Sequence, residues 1–321
     1  MGASLLPGCA PAAGPADGPG AAGGRLKVFV SILPEAFFVE RIGGEYVSVV
    51  VLVGPGQSPH TYEPTPKQMV QVSQARLFFA IGWPFEKQLL DKIADQAPNM
   101  KVIDLRQGIT LRHMTTAEEL AESADEPSSA TAPPSPPAAE SRPAPTGQPA
   151  PTGLAAGEPD PHIWLSPRNA RLIAATVARA LSEANPAHAG EFKKNLDALD
   201  ADLAQLDGRI AAALAPLKGR DVFAYHPAFG YFLEAYGLNQ VPVEIEGKEP
   251  TARQLVQLIA RAKAEGVRVI FVQPQFSTRS AETVAAAIGG VVVPMDDLSK
   301  DYLTNLADMA EKVRQALGAT P

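Results

Sequence analysis

The chain has 321 residues, 45% of them hydrophobic, and a formal net charge of −7. That length allows two domains of ordinary size, each with a substantial core. The acidic balance argues against nucleic acid, which calls for a basic face. There is no apolar run of about 18 residues to make a membrane span, and the single cysteine, Cys9, excludes an intrachain disulfide and Cys₂His₂-type zinc chemistry.

Residues 1–25 read as a flexible tether. Leu5-Leu6-Pro7-Gly8-Cys9-Ala10, followed by a Gly/Pro/Ala-rich stretch to Gly24, resembles a bacterial lipoprotein processing site. Pro7 is unusual there, and no basic or long apolar region precedes it. The alternative is an incidental cysteine in an unstructured N-terminus.

An N-terminal α/β lobe is expected over 26–185. Lys27 to Leu33 reads as a buried strand, Pro34 to Ile42 as a helix ended by Gly43-Gly44, and Tyr46 to Leu52 as a second strand. Thr65-Pro66 opens a helix, with Thr as N-cap and Pro at the first helical position. Leu77 to Ile81 follows as a strand, Phe85 to Asp95 as a helix and Lys101 to Leu105 as a strand. Strands alternating with helices predict a mostly parallel sheet. From Met114 to Glu158 the pattern dissolves into Pro, Ala, Ser and acidic residues without an aromatic. Such a stretch cannot bury enough apolar surface to offset its chain entropy. It is expected to be a disordered loop, spanning 114–159 at its widest.

Ser166-Pro167 and Asn185-Pro186 repeat the Thr65-Pro66 device. Between them a helix is expected to about Glu183. The next helix, 186–214, is long. Phe192, Leu196, Leu199, Leu203, Leu206, Ile210 and Leu214 form one apolar stripe at helical spacing. At 1.5 Å per residue it would run about 43 Å, long enough to be a strut between lobes. The alternation then restarts over 215–321. Strands are expected at Asp221–Tyr225, Val241–Val243, Val267–Val272 and Val291–Pro294. Helices are expected from His226 to Ala235, from Thr251 to Gly266, from Ser277 to Gly289, and from Asp301 to Leu317.

The chain holds five histidines. Three sit in Pro- and aromatic-flanked turns: His60 in Ser58-Pro59-His60-Thr61-Tyr62-Glu63-Pro64, His162 in Asp160-Pro161-His162-Ile163-Trp164, and His226 in Tyr225-His226-Pro227-Ala228-Phe229. Imidazole is the commonest side-chain ligand for a transition metal. In parallel α/β sheets ligands bind at the carboxyl ends of strands. His60 and His226 follow strands, His162 precedes a helix, and Met295-Asp296-Asp297 follows the Val291–Pro294 strand. If the lobes face each other, His60, His162, His226 and Asp296 meet in a cleft. Each taken alone could equally be a surface or packing residue, and Asp296 a loop carboxylate or cap. His113 and His188 read as solvated, and Glu63 as the acceptor of a local hydrogen bond.

These segments, with Tyr225-His226-Pro227-Ala228-Phe229-Gly230-Tyr231-Phe232 and Glu246-Gly247-Lys248-Glu249-Pro250, resemble the metal-binding solute-binding proteins of ABC importers. The likeness is to the zinc-specific ZnuA-like branch and runs from about Lys27 to Leu317. It implies two α/β lobes joined by a rigid long helix, with the metal between them. It also implies His60, His162 and His226 as ligands, with the family's carboxylate position falling on Asp296 and Asp297 as its rival. Zn²⁺ would be the transported ligand and the membrane permease the partner. The expected protein is a periplasmic or otherwise extracytoplasmic monomer, touching the membrane only through a lipid on Cys9. The chain departs from zinc-type members in one respect: its long loop carries no histidine, so a metal-collecting role for that loop is in doubt.

Three imidazoles suit Zn²⁺, and also Cu²⁺, Ni²⁺ or Fe²⁺, better than Mn²⁺, which takes a larger share of oxygen ligands. A manganese- or iron-type relative is the alternative within the family. Outside it stand a zinc hydrolase, which would need an open position for water and a general base, and an adhesin or structural lipoprotein with a vestigial site. There is no His-Glu-x-x-His helix and no serine nucleophile elbow.

Overall fold

The computed structural model describes residues 24–114, 159–243, 252–276 and 278–318. Two four-stranded sheets with the same topology account for all its strands. In the first, β1 (Leu26–Val30), β2 (Val47–Val51), β3 (Leu77–Ala80) and β4 (Lys101–Asp104) run in the order β2-β1-β3-β4. In the second, β5 (Asp221–Ala224), β6 (Asn239–Pro242), β7 (Val269–Val272) and β8 (Val291–Pro294) run in the order β6-β5-β7-β8. Every pairing is parallel. Each sheet therefore reverses its winding once, between β1 and β3 and between β5 and β7. A crevice opens at such a point beyond the strand carboxyl ends.

Helices α1 (Leu33–Gly43), α2 (Pro66–Ser73) and α3 (Pro84–Ile93) serve the first sheet. Thr65 caps α2 as its position suggests: its hydroxyl accepts from the Gln68 amide and the Gln68 side chain returns to the Thr65 amide. Ser166 ahead of α4 (Pro167–Ala184) does not repeat this. Pro167 opens the helix, but the Ser166 side chain makes no capping bond. Asn185 makes none either.

The long helix is split at its start. Pro186–His188 forms a 3-10 turn and α5 runs Ala189–Leu214, about 39 Å at 1.5 Å per residue. Its stripe is buried at Phe192, Leu199, Leu203, Leu206, Ile210 and Leu214, with Leu196 half-buried. The stripe is not a bare strut. It packs on α1 and α4 of the first lobe and on α9 (Tyr302–Gly318), the last helix. One continuous core links the first sheet, α5, Phe229, Phe232 and the Tyr302–Val313 face of α9. A second, smaller core of Phe223, Val241, Ile270, Val284 and Ile288 lies within the second lobe.

In the second lobe α6 (Gly230–Glu234) is shorter than the helix expected after His226, because His226-Pro227 first turns the chain through a bend. It is followed by α7 (Ala252–Ala264) and α8 (Arg279–Ile288). Gly289 closes α8 in the left-handed region, φ 66°, which glycine adopts without penalty. The Cys9 segment, residues 115–158, Glu246 to Pro250, and the expected caps Thr251 and Ser277 lie outside the described residues. Met114, the first residue of the expected loop, is buried, and His113 pairs with Pro159 in an isolated antiparallel bridge. The ends flanking 115–158 therefore lie side by side. Among the described residues no helix is long and apolar enough to cross a membrane.

Candidate metal centre

The three Pro-flanked histidines come together. One ring nitrogen from each of His60, His162 and His226 lies within 4.8 Å of the others. Ring centroids are 4.6 Å apart for His60–His226, 5.3 Å for His162–His226 and 5.8 Å for His60–His162.

Each is delivered by a different local device. His60 sits on a 3-10 turn, Pro59–Thr61, whose entry is held by the Ser58 hydroxyl accepting from the His60 amide. Trp83, just before α3, stands edge-on to His60 at 4.9 Å and to His162 at 5.7 Å. His162 is buried and its Nδ1 meets Asp160 Oδ1 at 2.7 Å. A carboxylate can only accept, so Nδ1 carries the proton and Nε2 keeps its lone pair. That Nε2 is buried with no hydrogen-bond partner among the described residues. Leaving such an atom unsatisfied is costly, and a buried imidazole nitrogen with a free lone pair is a donor that could hold a metal ion. His226 follows β5 at the winding reversal of the second sheet. Gln273, fully buried at the end of β7, accepts from the His226 amide and donates to its carbonyl. Phe276 stacks on the His226 ring at 4.7 Å.

The group whose ligand atoms lie within 4.8 Å of one another holds neither Asp296 nor Asp297. Asp296 Oδ1 accepts from the Leu298 amide at 2.9 Å and from Gln275 Nε2 at 3.3 Å, so the carboxylate is built into its own turn. Its neighbour Asp297 is the buried one, at 6% exposure, with Oδ1 unpartnered among the described residues. Burial pushes the Asp297 carboxyl above the ordinary range, while His162 and His226 pull it back down. Those two histidines therefore lie within electrostatic reach of the Asp297 carboxylate. Trp164 of the first lobe fixes that turn by donating its indole N–H to the Asp297 carbonyl at 2.7 Å.

Of the remaining histidines, His113 is exposed. His188 is half-buried rather than solvated, stacked on Tyr46 at 3.8 Å. Sequence reading missed Asp160, Gln273 and Trp83 as supports. Only Asp160 carried a readable signal, a carboxylate two residues before a candidate ligand.

Residues 28–316 match the family described as ZnuA, zinc-uptake complex component A, periplasmic. The chain belongs to this family. It is 35% identical over 306 residues to the high-affinity zinc uptake system protein ZnuA of Brucella abortus (strain 2308), covering 89% of this chain and 91% of that one. It is 26% identical over 303 residues to the zinc-binding protein AdcA of Streptococcus pyogenes serotype M3, covering 91% of this chain but only 56% of AdcA. The chain thus spans little more than half the length of the AdcA relatives. Among solved structures it superposes on ZnuA with a TM-score of 0.75 at 36% identity, covering 91% of this chain and 99% of that one. It does so equally well, at a TM-score of 0.75, on a zinc-bound ZnuA deletion mutant, covering 92% of this chain and all of that one.

Proposed function

We propose that this chain binds one Zn²⁺ between its lobes and hands it to the membrane permease of an ABC importer. His60, His162, His226 and Asp297 are the ligands on this reading, with Asp297 in the place expected of Asp296. The observation that carries it is the convergence of three imidazoles within 4.8 Å from three separate turns. Three nitrogens and one carboxylate oxygen give the four-coordinate, closed shell of zinc that is held rather than used. The same donor set disfavours Mn²⁺. A hydrolase would need a water-accessible position with a general base beside it. Here the acids that meet the two buried histidines, Asp160 and Asp297, are themselves buried. Membership of a zinc-uptake family supports the cargo reading over catalysis.

On this proposal the chain works outside the cytoplasm as a monomer, binding nothing of nucleic acid and meeting the membrane through its permease and any lipid on Cys9. Calorimetry with a competing chelator is the test. Single His60→Ala, His162→Ala and His226→Ala variants should each lose most of the affinity at one zinc per chain. Unchanged affinity in any two would sink the ligand set. Fatty-acid labelling of the expressed chain and its Cys9→Ser variant settles the anchor.

A further inference from the structure

Arg112 lies beyond β4, at the threshold of residues 115–158, and its side chain is only 8% exposed. One arm, Nη1, donates to Asp160 Oδ2 at 2.8 Å. The Nε edge donates to Glu234 Oε1, on α6 of the second lobe, at 2.7 Å. Asp160 is wholly buried, and its other oxygen receives both His162 Nδ1 at 2.7 Å and the His162 amide at 2.9 Å. The backbones are tied as well. The Asp160 amide donates to the Arg112 carbonyl at 2.9 Å. The Arg112 amide donates to the Tyr231 hydroxyl at 2.8 Å, and that hydroxyl donates to the Asp160 carbonyl at 3.3 Å. Gly230, the first residue of α6, makes room: a Cβ there would collide with the Arg112 guanidinium.

The consequence is orientational. Asp160 can fix the His162 ring only if its own carboxylate cannot rotate. A guanidinium is always charged and presents its donors in a rigid fork, so it can hold one oxygen of Asp160 and still reach a second acid. That second acid stands on the helix that begins four residues after His226. The aim of a first-lobe ligand is thereby tied to the second-lobe segment that carries the next one.

We propose that Arg112 is a positioning residue of the metal centre: bridging Asp160 and Glu234, it holds His162 as the Nδ1–H tautomer with Nε2 turned to the metal, and makes that aim depend on the second lobe. The proposal rests on His162 and His226 being zinc ligands. Partners of this kind typically change metal affinity about 10- to 100-fold when removed.

The experiment uses the full chain as wild type, Arg112→Gln, Arg112→Lys and Gly230→Ala. Zinc affinity is read by chelator competition, fold by circular dichroism, and the His162 tautomer by two-bond ¹H–¹⁵N spectra of the metal-free protein. Wild type should show His162 as the Nδ1–H form. Arg112→Gln should keep the circular dichroism spectrum, lose that tautomer signature and bind zinc about 10- to 100-fold more weakly. Arg112→Lys, a single ammonium on a flexible stem, should recover part of the loss. Gly230→Ala should reproduce the Arg112→Gln phenotype by displacing a guanidinium that is still present. Wild-type affinity in Arg112→Gln, or weak binding with the tautomer intact, overturns the proposal. Full recovery in Arg112→Lys overturns the bridging role, and wild-type affinity in folded Gly230→Ala overturns the dependence on the second lobe. Should Arg112→Gln fail to fold, the other two variants decide. If wild type itself ignores zinc, the ligand assignment fails, while the tautomer spectra still report on Arg112.

Discussion

At the scale of single residues, the site divides into what sequence pattern can show and what only packing can. The three histidines were legible because each stands in a Pro-flanked turn at a strand end or before a helix. The choice between Asp296 and Asp297 was not, because one step along a turn exchanges which carboxylate faces inward and no periodicity governs a turn. The structure ties Asp296 to the Leu298 amide and Gln275, and buries Asp297 within the electrostatic reach of His162 and His226. Asp297→Ala is therefore expected to weaken zinc more than Asp296→Ala, measured side by side by chelator competition; the reverse order would return the ligand role to Asp296. Arg112 and Gln273 were invisible for a different reason: the acid Glu234 lies 122 residues from the first, and His226 lies 47 from the second.

A second residue-scale expectation concerns stability against pH. Glu35 of α1 and Glu86 of α3 are both buried and share Ser31, whose amide donates to Glu35 and whose hydroxyl donates to Glu86. Burial pushes Glu86 from 4.5 up to about 7, against the hydrogen bonds it receives from Ser31 and the amides of residues 81–83. Burial, and then the charge of Glu86, raise Glu35 well above its ordinary value. Both shifts are upward, so the folded state holds protons that the unfolded chain has released. The stability Glu86 contributes is full below about 4.5 and fades as pH rises through about 7, and that of Glu35 is likewise lost as pH rises. Glu35 Oε1 has no hydrogen-bond partner among the described residues while Oε2 accepts from Ser31 and Ile32. A glutamine fits that pattern as a permanent mimic of the protonated acid. Glu35→Gln should melt higher than wild type at pH 8 and show a flatter dependence of melting temperature between pH 5.5 and 8. An unchanged slope would mean that Glu35 carries no shifted proton.

At the scale of elements, the alternation of strands and helices gave both lobes and their parallel sheets, since strands buried on both faces read as continuous apolar runs. The long helix was legible as an apolar stripe. Its setting was not, because a stripe says that one face is covered but not by what. That face is shared between α1 and α4 on one side and α9 on the other. Leu203, fully buried in the middle of the stripe, should cost about 2–5 kcal/mol when cut to alanine. Because the core it belongs to continues from the first sheet into α9, denaturant unfolding of the variant should remain one transition seen equally by all probes. Separate transitions would show that the helix couples the lobes weakly. The segment 115–158 makes a contrasting case. Its flanks are held by the His113–Pro159 bridge and the Asp160 to Arg112 backbone bond. Replacing 115–158 by a short Gly/Ser turn should thus leave melting temperature and zinc affinity close to wild type. A deletion that loses zinc would give that segment a role in the site.

At the scale of the whole molecule, the proposed ligands are divided between lobes, with His60 and His162 before α5 and His226 and Asp297 after it. The lobes also meet through direct bonds: Trp164 to the Asp297 carbonyl, the Tyr302 hydroxyl to the Trp164 carbonyl, and Lys300 to Glu40 at the surface. The last is half-exposed on both sides, and such pairs contribute little on their own. Zinc is a stronger tie, because the unfolded chain cannot bring the four ligands together. Binding to the folded state alone stabilises by ~4 kcal/mol at a free zinc concentration about 1,000 times Kd. For a chain of this size that raises the melting temperature by roughly 6 °C. The shift should vanish with a strong chelator, and it should collapse equally in His60→Ala and His226→Ala, since losing a ligand from either lobe removes the same cross-link. If the second-lobe variant lost the shift while the first-lobe one kept it, the metal would be held by one lobe alone, and the cleft between them would not be the site.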